Sequence, residues 1–106
     1  MNLDTEQGLE IDRRHLFNAQ TGKIGWQELQ RHFARGLVIK VAADMDLVEV
    51  ASHVAVDNVA LVEQWLTSGQ MRRAETEDAR DWNARDAEFW AVVSAPWVLV
   101  QEISGD

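Results

Sequence analysis

Trp26, Leu29 and Phe33 recur at intervals of three and four, with Arg35 in the last turn and Gly36 just beyond it, a pattern that predicts an amphipathic helix ending at the glycine. The next five residues, Leu37-Val38-Ile39-Lys40-Val41, are dense in β-branched side chains and bounded by Gly36 and Asp44, so they read as a buried, central strand. Upstream, Ile11, Leu16, Phe17 and Ala19 keep a loose helical spacing that Thr21-Gly22 interrupts, which predicts a short first helix over 11–19.

Beyond the strand the period is again helical. Leu47, Val50, Ala51 and Val54 fall in one sector of a helical wheel, and Asp46, Glu49, His53 and Asp57 fall in another. Prolonging that helix brings Leu61, Val62 and Trp65 onto the apolar sector, but it also places Asn58 at the sector's centre, where a bare amide needs a partner. A break costs less. Asp57 is expected to cap a second helix that starts at Asn58 and runs to the Gly69 stop.

Residues 70–73 read as a short edge strand, and Thr76 followed by Glu77, Asp78 and Asp81 reads as a capped, acidic helix start reaching Trp82. Two β-rich runs follow, 89–93 and 97–103, kept apart by Pro96, which cannot donate to a ladder inside one continuous strand. In the second run Trp97, Leu99 and Gln101 alternate with Val98, Val100 and Glu102.

The resulting order is helix, strand, helix, turn, helix, strand, long connection, strand. It predicts an α+β fold, a small single domain with helices packed on a short antiparallel sheet in winged-helix-like order. Residues 1–10 are expected to be a flexible N-terminus, 11–103 the globular domain and 104–106 a tail. A chain of 106 residues, 46% of them apolar, can fill one core without a covalent staple. The absence of cysteine removes disulfides, thiolate metal sites and thiol catalysis, and it fits a reducing compartment. No apolar run approaches the roughly 18 residues of a membrane span, and the acidic amino end lacks the basic start and apolar stretch of a secretory signal. A cytoplasmic protein with no membrane contact is the expectation.

The net charge of -8 hides an uneven distribution. Arg13, Arg14, Lys23, Arg31, Arg35 and Lys40 face only Glu28 between positions 13 and 40, whereas the remainder of the chain holds four arginines against seventeen carboxylates. A molecule with a basic and an acidic end can attract a copy of itself or dock a charged partner. The same basic third, chiefly Arg13, Arg14, Arg31, Arg35 and Lys40, supports an alternative, nucleic-acid binding. Against that alternative, the helix that would enter the major groove offers Asn58, Glu63 and Gln64 and no cation, with Asp57 at its start. Arg72 and Arg73 remain available to phosphates.

Catalytic chemistry has little support. Asp46, Glu49, His53 and Asp57 share a helical face with ligand-like spacing, but no convergent groups from a second element can be read, so a solvated face with an acid-to-histidine pair is the simpler account. Glu28 and His32 repeat that pairing. No serine sits in a strained elbow beside a histidine, and the glycines at 22, 25 and 36 do not form a phosphate-cradling loop. No catalytic residue, cofactor or metal ligand is assigned.

Five tryptophans are many for this length. Trp26, Trp65 and Trp97 fall on apolar stripes and are expected in the core, whereas Trp82 and Trp90 flank the acidic stretch 83–88 and are expected to be exposed as interface anchors.

The blocks DLVEVA (46–51), VEQWLTSGQM (62–71) and APWVLVQE (95–102) resemble, in order and spacing, a small bacterial family, domain of unknown function family 2288. The resemblance runs from about Leu9 to Ile103. It implies a bacterial single-domain protein and transfers no activity, cofactor or catalytic residue.

Overall fold

A computed structural model describes residues 21–103. The segment 1–10, the helix expected over 11–19 with Arg13 and Arg14, and the tail 104–106 lie outside the described residues.

The described elements are β1 (Gly22–Gly25), α1 (Trp26–Ala34), β2 (Val38–Val41), α2 (Leu47–Ala55), α3 (Val59–Ser68), β3 (Met71–Arg73), α4 (Thr76–Arg85), β4 (Glu88–Ser94) and β5 (Trp97–Glu102). They build a five-stranded sheet in the order β1-β4-β5-β2-β3. Three of the pairings are antiparallel, but β2 and β5 run parallel, with Val38 opposite Val98 and Lys40 opposite Val100. The sheet is therefore mixed, not purely antiparallel. Alternation of apolar side chains records which face a residue takes and carries no information on strand direction.

Both faces of the sheet are covered. Leu47, Val50 and Ala51 of α2 and Trp65 of α3 pack with Ile39, Val41, Met71, Val92 and Leu99 on one face. Trp26 and Leu29 of α1 and Trp82 of α4 pack with Val38, Phe89, Ala91, Val98 and Val100 on the other. Consecutive residues of β5 thus feed opposite cores, which is why its sequence reads as a nearly continuous apolar run. The helix, strand, helix, turn, helix, strand order is present from α1 to β3. The expected long connection contains α4, and a further strand, β1, pairs with β4 at the sheet margin. With only Ile24 between two glycines and a lysine, β1 has too little pattern to be read as a strand.

Local chemistry sets the boundaries. Asp46 Oδ1 accepts the backbone N–H of Val48 at 3.0 Å and of Glu49 at 3.2 Å, capping α2. The break between α2 and α3 falls where expected, but the cap is Asn58, whose Oδ1 accepts the Leu61 N–H at 3.4 Å. Asp57 occupies the turn itself, at a positive φ of 55°, a conformation that Asp tolerates better than most residues. Asn58→Ala should cost about 1 kcal/mol, read as a lowered urea midpoint at unchanged slope. The helix expected to start on a Thr76 cap instead has Glu75 as its N-cap residue. The Glu75 N–H donates to Asp78 Oδ2 at 2.8 Å, and the helix runs on to Arg85 because Ala79 and Trp82 keep an apolar face inward.

Candidate functional site

The two tryptophans expected at the surface separate. Trp82 is 0% exposed, its ring edge-on to Phe89 at 4.8 Å and tilted against Trp26 at 5.9 Å. It is a core residue and no interface anchor. It lies on the inward face of a helix continuing through the stretch that the acidic residues had marked as an exposed connection. Trp90 is 44% exposed, with Lys23 Nζ 5.8 Å from its ring centroid. By strand alternation and register, Trp90 and Lys23 occupy the same sheet face as α2 and α3, toward the β1 margin. Trp26 and Trp65 are buried and Trp97 is half-buried, as their apolar stripes suggest. The buried Trp26 Nε1 has no hydrogen-bond partner.

Among the described residues, Arg31, Arg35 and Lys40 do not form one patch. Arg31 and Arg35 are exposed on α1. Lys40 points to the α4 side of the sheet, where its Nζ lies 3.5 Å from Asp78 and 3.7 Å from Glu102 and sits over the Trp82 ring. Arg72 grips the same Asp78 with two nitrogens at 2.8 and 2.9 Å, and Arg85 joins Asp81 to Glu102. These hydrogen bonds from Arg72, reinforced by the Glu75 N–H and the charges of Arg72 and Lys40, hold the Asp78 carboxyl at about 2 despite its burial. Lys40 is thus part of a structural ion network joining α4 to the sheet.

Nor do Asp46, Glu49, His53 and Asp57 converge. Asp46 is occupied as a cap, and Asp57 lies on the turn. His53 Nε2 is 3.9 Å from Glu49 Oε1, its Nδ1 meets Asn58 Nδ2 at 3.2 Å, and its ring stands edge-on to Trp65. Among the described residues no group of three or more His, Asp or Glu side chains is placed to hold a metal ion.

What does converge lies on the α2–α3 hairpin. Between positions 42 and 70 the chain carries Asp44, Asp46, Glu49, Asp57 and Glu63, all exposed, and no lysine or arginine. The same hairpin shows three large apolar side chains to solvent: Val56 at 47%, Val59 at 59% and Leu66 at 48% exposed. Beside them opens a cleft of about 310 Å³. Ile39, Met71 and Leu99 of the sheet and Val54, Val62 and Leu66 of the helices line it, with Arg73 and Trp97 completing the wall. The Arg73 guanidinium lies 5.2 Å from the Trp97 ring centroid. The ion pairs among the described residues engage Lys40, His53, Arg72 and Arg85 and leave Arg73 without a carboxylate. Sequence reading missed this cleft because its residues come from five separate elements, although the cation-free span from 42 to 70 was visible in it.

No helix among the described residues is long and apolar enough to cross a membrane. No curated protein matches the chain. Among solved structures, the NMR solution structure of PA1075 from Pseudomonas aeruginosa is similar, at 43% identity and a TM-score of 0.76, over 83% of this chain and 82% of that one. A family model described as protein of unknown function (DUF2288) matches residues 12–102, and the chain belongs to that family.

Proposed function

We propose that the protein is a cytoplasmic, non-catalytic interaction module whose partner-facing surface is the α2–α3 hairpin, and whose partner supplies a cationic amphipathic helix. The observation that carries this reading is the pairing, on one hairpin, of exposed Val56, Val59 and Leu66 with exposed Glu49, Asp57 and Glu63 and no lysine or arginine. An apolar stripe on a hairpin whose own charges are all acidic suits a helix with apolar anchors and basic flanks. Exposed Trp90 lies on the same sheet face but toward the β1 margin, away from the β3 side where Leu66 sits. The charge pattern opposes a phosphate backbone at α3, the helix that would read DNA in a winged-helix arrangement. Among the described residues of the basic third, Arg31 and Arg35, at α1 and its C-terminal end on the opposite side of the sheet, support the nucleic-acid alternative, whereas Lys40 is engaged by Asp78 and Glu102.

A synthetic amphipathic helix of leucine and lysine is the probe, titrated by fluorescence anisotropy. Binding should be in the micromolar range, weaken with salt, and fall at least about tenfold in the Val56→Ser/Val59→Ser double variant, whose exposed positions leave the core intact. No binding, or equal binding of a leucine–glutamate analogue, would overturn the proposal. Light scattering that finds a dimer dissolved by the same double variant would instead place a second copy of the chain on this surface.

A further inference from the structure

The cleft beside the hairpin has features that a docked helix does not require. Its walls are apolar, its volume of about 310 Å³ lies at the small end of the range for small-molecule sites, and one guanidinium stands at it without a carboxylate. Taking the ~30 Å³ that a water molecule occupies in the liquid as room for one non-hydrogen atom, the cleft accommodates about ten. A polar ligand would find almost no partners along these walls, and burying its hydrogen-bonding groups there would be unfavourable. The chemistry therefore calls for an apolar body with one anionic end.

The strand pattern fixes where that end must lie. β3 alternates Met71, Arg72 and Arg73, so Met71 and Arg73 share the cleft side of the sheet while Arg72 turns to Asp78 on the other. The Arg73 guanidinium lies 5.2 Å from the Trp97 ring centroid, and no ion pair among the described residues engages it, so its N–H groups can donate to a carboxylate. Arg73 is the one charged side chain in the described wall, so a single negative charge suits the site better than a phosphate.

We propose that this cleft is a binding site for a small amphipathic monocarboxylic acid, an unbranched acyl chain of about eight carbons. Its tail lies between α3 and the sheet, and its carboxylate lies on Arg73.

The test is a titration of the full chain with sodium octanoate, with octan-1-ol and octylamine as comparison probes, followed by calorimetry and by amide chemical shifts. Octanoate should bind more tightly than either comparison probe, with shifts centred on Val62, Leu66, Arg73 and Trp97. Arg73→Gln should weaken octanoate about tenfold or more, the loss expected of one charge-assisted hydrogen bond, and leave octanol unchanged. Arg73→Lys should recover part of that loss. Leu66→Trp, at an exposed position, should obstruct the cleft and remove binding of all three probes. The proposal is overturned if octanoate produces no localised shifts, if Arg73→Gln leaves its affinity unchanged, or if octylamine binds as tightly. Val56 and Val59 are not part of the cleft wall, so failure here is distinguishable from failure of the helix-docking reading.

Discussion

Trp82→Ala is expected to destabilise the domain by about 3–5 kcal/mol, the cost of deleting a fully buried aromatic and leaving a cavity that its neighbours only partly fill. The effect should be at the upper end because the ring sits between Trp26 and Phe89 and beneath Lys40, so its loss removes contacts to α1, β4 and β2 at once. Against a typical domain stability of about 5–15 kcal/mol, the variant will unfold at a far lower urea concentration. Trp90→Ala is the control. Its half-exposed ring should change stability by no more than about 0.5 kcal/mol. Equal effects from the two substitutions would refute the assignment of Trp82 to the core and Trp90 to the surface.

Asp78→Ala should cost about 2–3 kcal/mol at neutral pH. The carboxylate accepts from both Arg72 nitrogens and the Glu75 N–H and lies 3.5 Å from Lys40, so its removal unties the start of α4 from β2 and β3 together. Arg72 is partly exposed, which keeps the figure below that of a fully buried pair. The pH dependence has a defined direction. The folded-state pKa of Asp78 is lowered from 3.8 to about 2, so its contribution is complete above the unfolded value and disappears as pH falls through the folded one. Between about pH 4 and pH 2 the wild type should lose about 2 kcal/mol from this group, and Asp78→Asn should flatten that part of the stability profile. Denaturant melts at intervals across that range measure it. A wild-type profile as flat as the variant's would remove Asp78 from the account of acid sensitivity.

The sequence made the helices legible where period and punctuation agreed. Trp26, Leu29 and Gly36 marked α1, and the awkward placement of Asn58 revealed the break between α2 and α3. Strand direction and partners were not legible, because Val38 and Val98 carry the same apolar signal whether their strands run parallel or antiparallel. Trp82 was misread because the acidic residues beside it suggest solvent. In the fold, Asp86 and Glu88 of the stretch 83–88 are exposed, but Trp82 precedes them on a helix that ends at Arg85 and turns Ala79 and Trp82 inward. The segregation of charge was visible in the chain, but its geometry was not. Lys40, counted with the basic third, faces α4 and its acids, while the cation-free span from 42 to 70 forms the opposite layer. The cleft required tertiary structure, since Val54, Leu66, Arg73 and Trp97 have no common period.

The place of β5 has a consequence for biosynthesis. It is the last described strand to be made, yet it lies between β4 and β2 and alone joins the ribbon of β1 and β4 to the ribbon of β2 and β3. On a ribosome, the emerging polypeptide therefore holds two separate hairpin-like halves, with Val93 and Val38 lacking their shared neighbour Val98, until the residues from Trp97 onward have left the exit tunnel. A nascent chain arrested before that point should remain sensitive to protease throughout, and protection should arise in a single step on release of the final strand.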